Sequence, residues 1–293
     1  LTEVLVIANP AAGRRHGAAK LRRAISLLGS ARVVFTQHPG HAKTLAQEAI
    51  AQGCTTVVAA GGDGTIGQIA QVLAGSDVAL GILPLGTGND VSRHLGIGTD
   101  ISKACSAIRE GHTVLADLGE ANGVLFLNVA GCGFDAAVAQ RVNAPKRRSG
   151  GTLAYLLTVI SVLRGFIPLQ ASIRVDDKVF FEGGLMLCSV GNCSSYGGGM
   201  RICPAAKISD TLLDITAVMA CGKMEFLAAL PGAYIGRHVN HRRCRIATGK
   251  RITVVTTPPS AYFADGELLG QAPLTCTIRP SCLRILAPAG FRG

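Results

Sequence analysis

Apolar runs rich in β-branched residues recur through the first third of the chain, at residues 4–8, 32–35, 56–60 and 78–83. Between them the apolar positions take up a helical period. Ala18, Leu21, Ile25 and Leu28 share one face, with Lys20, Arg22 and Arg23 outside it. Ala42, Leu45, Ala46, Ala49 and Ile50 make a second stripe, and Ile66, Ile69, Ala70 and Leu73 a third. Strands and helices alternating through short turns predict an α/β domain, a mainly parallel sheet covered by helices. After about residue 110 the rhythm changes. The runs at 113–118, 124–130, 171–175, 179–190, 213–218, 251–256 and 275–279 are short, apolar and turn-bounded, which predicts a mostly β second domain. Helices are expected to interrupt it at 152–163 and 224–230.

Open parallel sheets bind ligands beyond the carboxyl ends of their strands. The first, third and fourth strands end in Asn9-Pro10-Ala11-Ala12-Gly13, Gly61-Gly62-Asp63-Gly64-Thr65 and Pro84-Leu85-Gly86-Thr87-Gly88-Asn89-Asp90. Three polar, glycine-rich turns on one sheet edge predict one site. Glycines let backbone N–H groups approach phosphate oxygens, and a helix starting at Thr65 adds its positive dipole end. Asp63 in such a loop repels a phosphate unless a cation lies between them, which points to a Mg²⁺-nucleotide. Thr65 and Thr87 offer hydroxyls, and Asn9 and Asn89 fix loop backbone or ligand. Residues 62–67 also spell G-x-G-x-x-G, the dinucleotide spacing. Against that, the loop follows the third strand, and Ile82-Leu83-Pro84 stands where an acidic residue is needed. The plain alternative is that these turns only reverse the chain, with Asp63 as a helix N-cap.

Composition narrows the class. The chain has 293 residues, 48% hydrophobic and 16% charged, enough apolar side chain for two domains with real cores. No apolar stretch reaches the roughly 18 residues of a membrane span; the longest, 153–163, contains Thr158 and Ser161. Lys plus Arg exceed Asp plus Glu by 29 − 18 = 11. That balance suits an anionic membrane or phosphorylated ligands. Aromatics at 4% without Trp argue against nucleic acid, which needs stacking platforms. Ten cysteines, none spaced C-x-x-C, are expected to be reduced thiols. With an opening run that reads as a strand instead of a leader, the expected location is cytoplasmic.

Gly61-Gly62-Asp63-Gly64-Thr65, followed about twenty residues later by the 84–90 loop, resembles the catalytic domain of the diacylglycerol kinase and sphingosine kinase superfamily, in its soluble bacterial lipid kinase branch. Further matches are Asn9-Pro10, Asp117-Leu118-Gly119, Asn128-Val129-Ala130-Gly131-Cys132-Gly133-Phe134-Asp135, Tyr196-Gly197-Gly198-Gly199 before Pro204-Ala205, and Asp265-Gly266-Glu267. The resemblance implies an ATP-dependent lipid kinase. Its nucleotide domain, phosphofructokinase- or NAD-kinase-like, would occupy 1–116, and a β sandwich for the lipid acceptor 117–280. The tail, about 281–293, would pack back on the first domain.

Carried over by position, Asn9, Thr36, Gly61, Gly62, Asp63, Gly64, Thr65, Gly67, Gly86, Thr87, Gly88 and Asn89 would form the ATP site. Asp63 and Asp117 would hold the catalytic Mg²⁺ or order its waters. Asp265 would accept the proton of the lipid hydroxyl, with Glu267 as support or as the acceptor itself. A structural Mg²⁺ would take the carboxylate of Asp210 and the carbonyls of Lys207 and Leu212. The chain departs from the family pattern at Gly67, where Asn is frequent, and at Thr211, where Gly is usual.

Phosphoryl transfer needs exactly such parts in general terms: charge neutralisation at the phosphates and a carboxylate near the attacking hydroxyl. For Asp265 the plain alternative is an Asp-Gly hairpin turn. The implied partner is a lipid in an anionic membrane surface, with peripheral contact through the basic clusters at 146–148 and 237–251, at the inner face of the membrane; a homodimer is a further expectation. For residues 153–163 a helix covering the second domain is the favoured assignment. The competing functions are an NAD kinase, which shares G-G-D-G-T, and a non-catalytic nucleotide- or lipid-binding regulator. No motif names the lipid.

Overall fold

Strands β1 (Val4–Ala8), β2 (Arg32–Phe35), β3 (Thr56–Gly61) and β4 (Ala79–Pro84) run parallel, as the periodicity predicts; their order is β2-β1-β3-β4. The computed structural model describes residues 4–142, 152–291 and 293. Helices α1 (Arg14–Leu28), α2 (His41–Ala51) and α3 (Asp63–Leu73) carry the three apolar stripes. β3 and β4 are buried almost end to end, so they read as unbroken apolar runs, the pattern of strands covered on both faces. Two helices follow that the stripes did not single out, α4 (Asp90–His94) and α5 (Ile101–Glu110). The second is bounded by its own chemistry. The Asp100 carboxylate accepts the Ser102 N–H at 2.8 Å, and Gly111 ends the helix at φ 69°.

The second half is antiparallel: β5 (Thr113–Ala121), β6 (Val124–Phe126), β7 (Val129–Gly133), β8 (Leu169–Val175), β9 (Lys178–Gly191), β10 (Leu213–Met219), β11 (Cys244–Gly249), β12 (Arg251–Thr257), β13 (Ala261–Ala264), β14 (Glu267–Gln271) and β15 (Leu274–Leu286). The run at 124–130 is two strands, broken where the N–H groups of Leu127 and Asn128 turn to a side chain described below. One core, with Phe126, Ile173, Leu185, Val190, Ile215, Ile252 and Leu274, fills the sandwich. Another forms where α6 (Phe134–Val142), α7 (Thr152–Gly165) and α8 (Lys223–Tyr234) cover it, with Phe134, Val138, Leu163, Leu187 and Phe226. Val159 and Leu163 of α7 are buried while Leu157 is exposed, so this helix is a cover with one wet side. The side chains of 152–156 and the basic cluster 146–148 lie outside the described residues. No helix among the described residues is long and apolar enough to cross a membrane, and all ten cysteines are free thiols.

The halves share a two-stranded ribbon. β5 pairs antiparallel with β15 along nearly its whole length, and β15 passes from β12 at its start to β4 at its end, where Ile285 lies beside Leu80. Leu283, Ile285 and Leu286 are thereby buried in the core of the parallel half. The ribbon's register shifts between Arg279 and Leu283, and there Ser281 takes φ 48°. The buried Asp117 of β5 holds the irregularity. Its Oδ1 accepts the Ser281 N–H at 2.6 Å, and its Oδ2 accepts the Thr211 N–H at 2.7 Å. Charge-assisted bonds of this length are the strong ones. Asp117→Asn turns one acceptor into a donor facing an N–H, so it is expected to lower Tm by about 4–8 °C. An unchanged melting curve would show that the clasp contributes little.

Candidate active site

The three glycine loops meet at one edge of the parallel strands. Asn9 leaves β1 with its N–H on the Ala60 carbonyl at 2.9 Å; its side chain accepts the Ala11 N–H at 3.0 Å and donates to Thr65 Oγ1 at 3.2 Å. Thr36 ends β2 with its N–H on the Ala8 carbonyl, beside Asn9. Gly62 is the N-cap of α3, so Asp63 opens the first turn and does not cap it. Its carboxylate instead accepts the Val91 N–H at 3.2 Å, pinning the second loop. In that loop Asn89 sits at φ 54°, donates to the Gly86 carbonyl at 2.8 Å, and keeps a buried Oδ1 without a partner; Thr87 is exposed at the tip.

Asp90 is the acidic residue that motif matching passed over. It is buried at the start of α4 and accepts N–H groups from the other half of the molecule, Gly198 at 2.9 Å and Gly199 at 2.6 Å. Burial, then the charge of Asp90, raises the carboxyl pKa of Asp63. A methyl group on Gly88 would lie 2.8 Å from Asp63 Oδ2 and 3.0 Å from Asp90 Oδ2, so two carboxylate oxygens converge on one bare Cα. An acid closing a glycine run and followed by Val91 was the available sequence signal.

Asp265 completes the group from the second half. Asp265 and Gly266 form the two-residue turn of the β13–β14 hairpin, with Ala264 opposite Glu267 and φ values of 47° and 82°. The plain turn is therefore real, and the Asp265 side chain turns to the main chain between β6 and β7. Oδ2 accepts the Leu127 N–H at 2.8 Å; Oδ1 accepts Asn128 at 2.8 Å and Val129 at 3.3 Å. Against those three amides, burial, with a smaller push from Asp63, drives its pKa up to about 6. A Cβ on Gly67 would come 2.9 Å from Asp265 Oδ2, so glycine there lets α3 close on this carboxylate where Asn would collide. Glu267 lies outside, accepting from Gln68 Nε2 of α3 at 3.1 Å. The thiol of Cys193 is raised by burial and then by the charges of Asp265, Asp63 and Asp90. No ion pair among the described residues involves them.

The remaining predicted residues gather elsewhere. Asp117 lies against the turn that holds Asp210, whose Oδ1 accepts the Leu212 N–H at 3.1 Å. Thr211 adopts φ 64° in this turn, so it occupies the left-handed position without glycine. Nearby Asp214 is raised to about 6 by burial and by Asp210, and Lys207 opposes the shift. No cluster of three metal-binding side chains occurs among the described residues, so a cation here would rely on main-chain carbonyls. A second residue without an assigned role is Asp135 in the first turn of α6. It accepts from Ser189 Oγ at 3.0 Å, and burial pushes it up to about 7. Gly131, which pairs with Ser189 and Phe263, faces it, so Asp135 lies on the sheet face that also carries Asp265.

The chain as a whole is similar to known proteins. Residues 3–121 match the diacylglycerol kinase catalytic domain, and residues 128–287 the YegS C-terminal NAD kinase beta sandwich-like domain. A diacylglycerol kinase of Mycobacterium tuberculosis is 35% identical over 98% of this chain and 95% of its own. A probable lipid kinase YegS-like of Pseudomonas aeruginosa is 32% identical over 95% and 93%. The crystal structure of a putative diacylglycerol kinase from Bacillus anthracis superposes with a TM-score of 0.78 at 26% identity, covering 98% of both chains. An NAD kinase from Archaeoglobus fulgidus in complex with ATP, at 12% identity, shares the fold with a TM-score of 0.55 over 98% of this chain and 94% of that one. On the family matches and the near full-length identity, this chain belongs to the diacylglycerol kinase family of lipid kinases.

Proposed function

We propose that the protein transfers the γ-phosphate of ATP to the hydroxyl of a diacylglycerol-like lipid. The observation that carries this reading is the convergence of Asp63, Asp90 and Asp265 where the glycine loops meet the second half. The carboxylates of Asp63 and Asp90, which both approach Gly88, with the orphaned Asn89 Oδ1 on the adjacent residue, are hard-oxygen donors of the kind that suit Mg²⁺. Bound there by Asp63 and Asp90, the ion would neutralise phosphate charge. A second Mg²⁺ at Asp210, with the Lys207 and Leu212 carbonyls, would have a structural role.

The chain's own groups supply the rest. The N–H groups of Gly62, Gly64, Thr87 and Gly88 and the hydroxyls of Thr36, Thr65 and Thr87 orient the triphosphate. The lipid hydroxyl oxygen bonds to Pγ, the bond from Pγ to the β–γ bridging oxygen breaks, ADP leaves, and the hydroxyl proton passes to Asp265. Oδ1 of Asp265 already accepts two N–H groups while Oδ2 accepts one, so Oδ2 has the lone pair to take it. Glu267 then braces α3 through Gln68. Asp135, Ser189 and Phe263 offer the acceptor a polar anchor in an apolar wall.

The decisive assay offers labelled ATP and Mg²⁺ to diacylglycerol, monoacylglycerol, phosphatidylglycerol, ceramide and a sphingoid base in mixed micelles, with NAD in parallel. Label in a lipid supports the reading, and label in NADP replaces it with an NAD kinase. Asp265→Asn is expected to cut transfer about 10²–10⁴-fold with ATP affinity intact, and Glu267→Gln less than about tenfold. The reverse order would move the proton acceptor to Glu267. Because Asp265 must be ionised to accept a proton, kcat should climb as pH rises through about 6, a limb that Asp265→Asn removes. Gly88→Ala should raise the Mg²⁺ concentration for half activity roughly tenfold; an unchanged requirement would remove Asp63 and Asp90 as its ligands.

A further inference from the structure

Helix α8 is apolar on both sides. Its inner side, Phe226 and Ala233 with Leu227 and Leu230, packs into the core beneath α6 and α7. Its outer side carries Met224, Ala228 and Pro231, continued by Ile235, at spacings of four, three and four residues, which is one helical stripe. All four are exposed, Met224 at 78% and Ile235 at 59%, with Tyr234 beside them. Ile167, also 78% exposed, follows α7, whose Arg164 carbonyl accepts from Lys223 Nζ at the start of α8. A helix facing only water normally turns charge outward, and between Glu225 and Arg237 this one turns none.

The flanks are cationic. Arg164 and Lys223 stand at one end, where Arg242 and Arg243 return to meet Glu225; Arg237 follows the other end. Glu225, the helix's one acid, is 3.3 Å from Arg242 and 3.9 Å from Arg243. An apolar stripe between basic ends matches the boundary between acyl chains and anionic headgroups. The stripe also backs onto the acceptor wall. Phe226 meets Phe134 edge-on at 5.0 Å, Phe134 precedes Asp135, and the same sheet face leads through Phe263 to Asp265.

We propose that α8, together with Ile167, is the face by which the protein docks on an anionic bilayer, lying in the interface so that the lipid acceptor enters toward Asp135 and Asp265. The proposal rests on the lipid-kinase reading above. Because the chain contains no Trp, a single introduced one reports its surroundings directly. Met224→Trp should shift its emission to the blue on vesicles of phosphatidylcholine with phosphatidylglycerol and much less on phosphatidylcholine alone. Val179→Trp, on an exposed apolar residue of β9, should not shift. In sedimentation with the anionic vesicles, Met224→Glu/Ile235→Glu should bind about tenfold more weakly or worse. The same variant should phosphorylate a short-chain, water-dispersed diacylglycerol as the parent does.

Unshifted Met224→Trp emission, or undiminished sedimentation of the double variant, would overturn the proposal. So would light scattering that finds the parent dimeric and the double variant monomeric with vesicle binding unchanged, since a second copy would then cover the stripe. Vesicle binding that depends on α8 in a parent that phosphorylates no lipid would support docking and sink the kinase reading instead.

Discussion

Carboxylates held by main-chain amides organise this molecule, and one of them, Asp90, ties its two halves together. Asp90, from the parallel half, takes the N–H groups of Gly198 and Gly199. Asp265, from the antiparallel half, takes those of Leu127, Asn128 and Val129 and presses against Gly67 of α3. Asp117 takes one from Thr211 and one from Ser281. Amides can hold a carboxylate in place without cancelling its whole charge, and burial makes the residual charge expensive. The result is a cleft whose geometry is fixed and whose electrostatics favour a cation. Positioning and reactivity thus come from the same few contacts, which is the economy expected of a phosphotransferase whose work is mostly placement and charge.

Much of this arrangement is legible in the sequence because it is written in local periodicity. The parallel strands and their helices follow from runs and stripes, and the loop positions follow from the strand ends. α5 has its boundaries spelled out in Asp100 and Gly111, but its apolar stripe is only ten residues long, short for a periodic signal. What sequence could not supply is contact across long separations. Asp90 reads as the last letter of a loop until Gly198 and Gly199 are seen on it. The break between β6 and β7 is invisible in the apolar run 124–130, because its cause lies at Asp265. Asp117 offers the converse case: the motif marked the residue, and only the structure shows that its two oxygens hold a strand irregularity and a turn.

The departures from the family pattern are both accommodated by backbone. Thr211 holds the left-handed conformation usually left to glycine, helped by the bond from its N–H to Asp117. Gly67 removes a side chain at the point where α3 approaches Asp265 most closely. A larger residue here would have to displace the Asp265 carboxylate or move α3 away from the hairpin.

The route of β15 sets the order in which the chain can assemble. Its last residues pair with β4 at the edge of the parallel sheet and fill that core with Leu283, Ile285 and Leu286. Every strand of the antiparallel half is made on the ribosome between Leu80 and its neighbour Ile285. During synthesis the parallel half must wait with an apolar edge uncovered, and it can close only after the other half is complete. The two halves are separate in architecture, but the parallel one cannot be completed first.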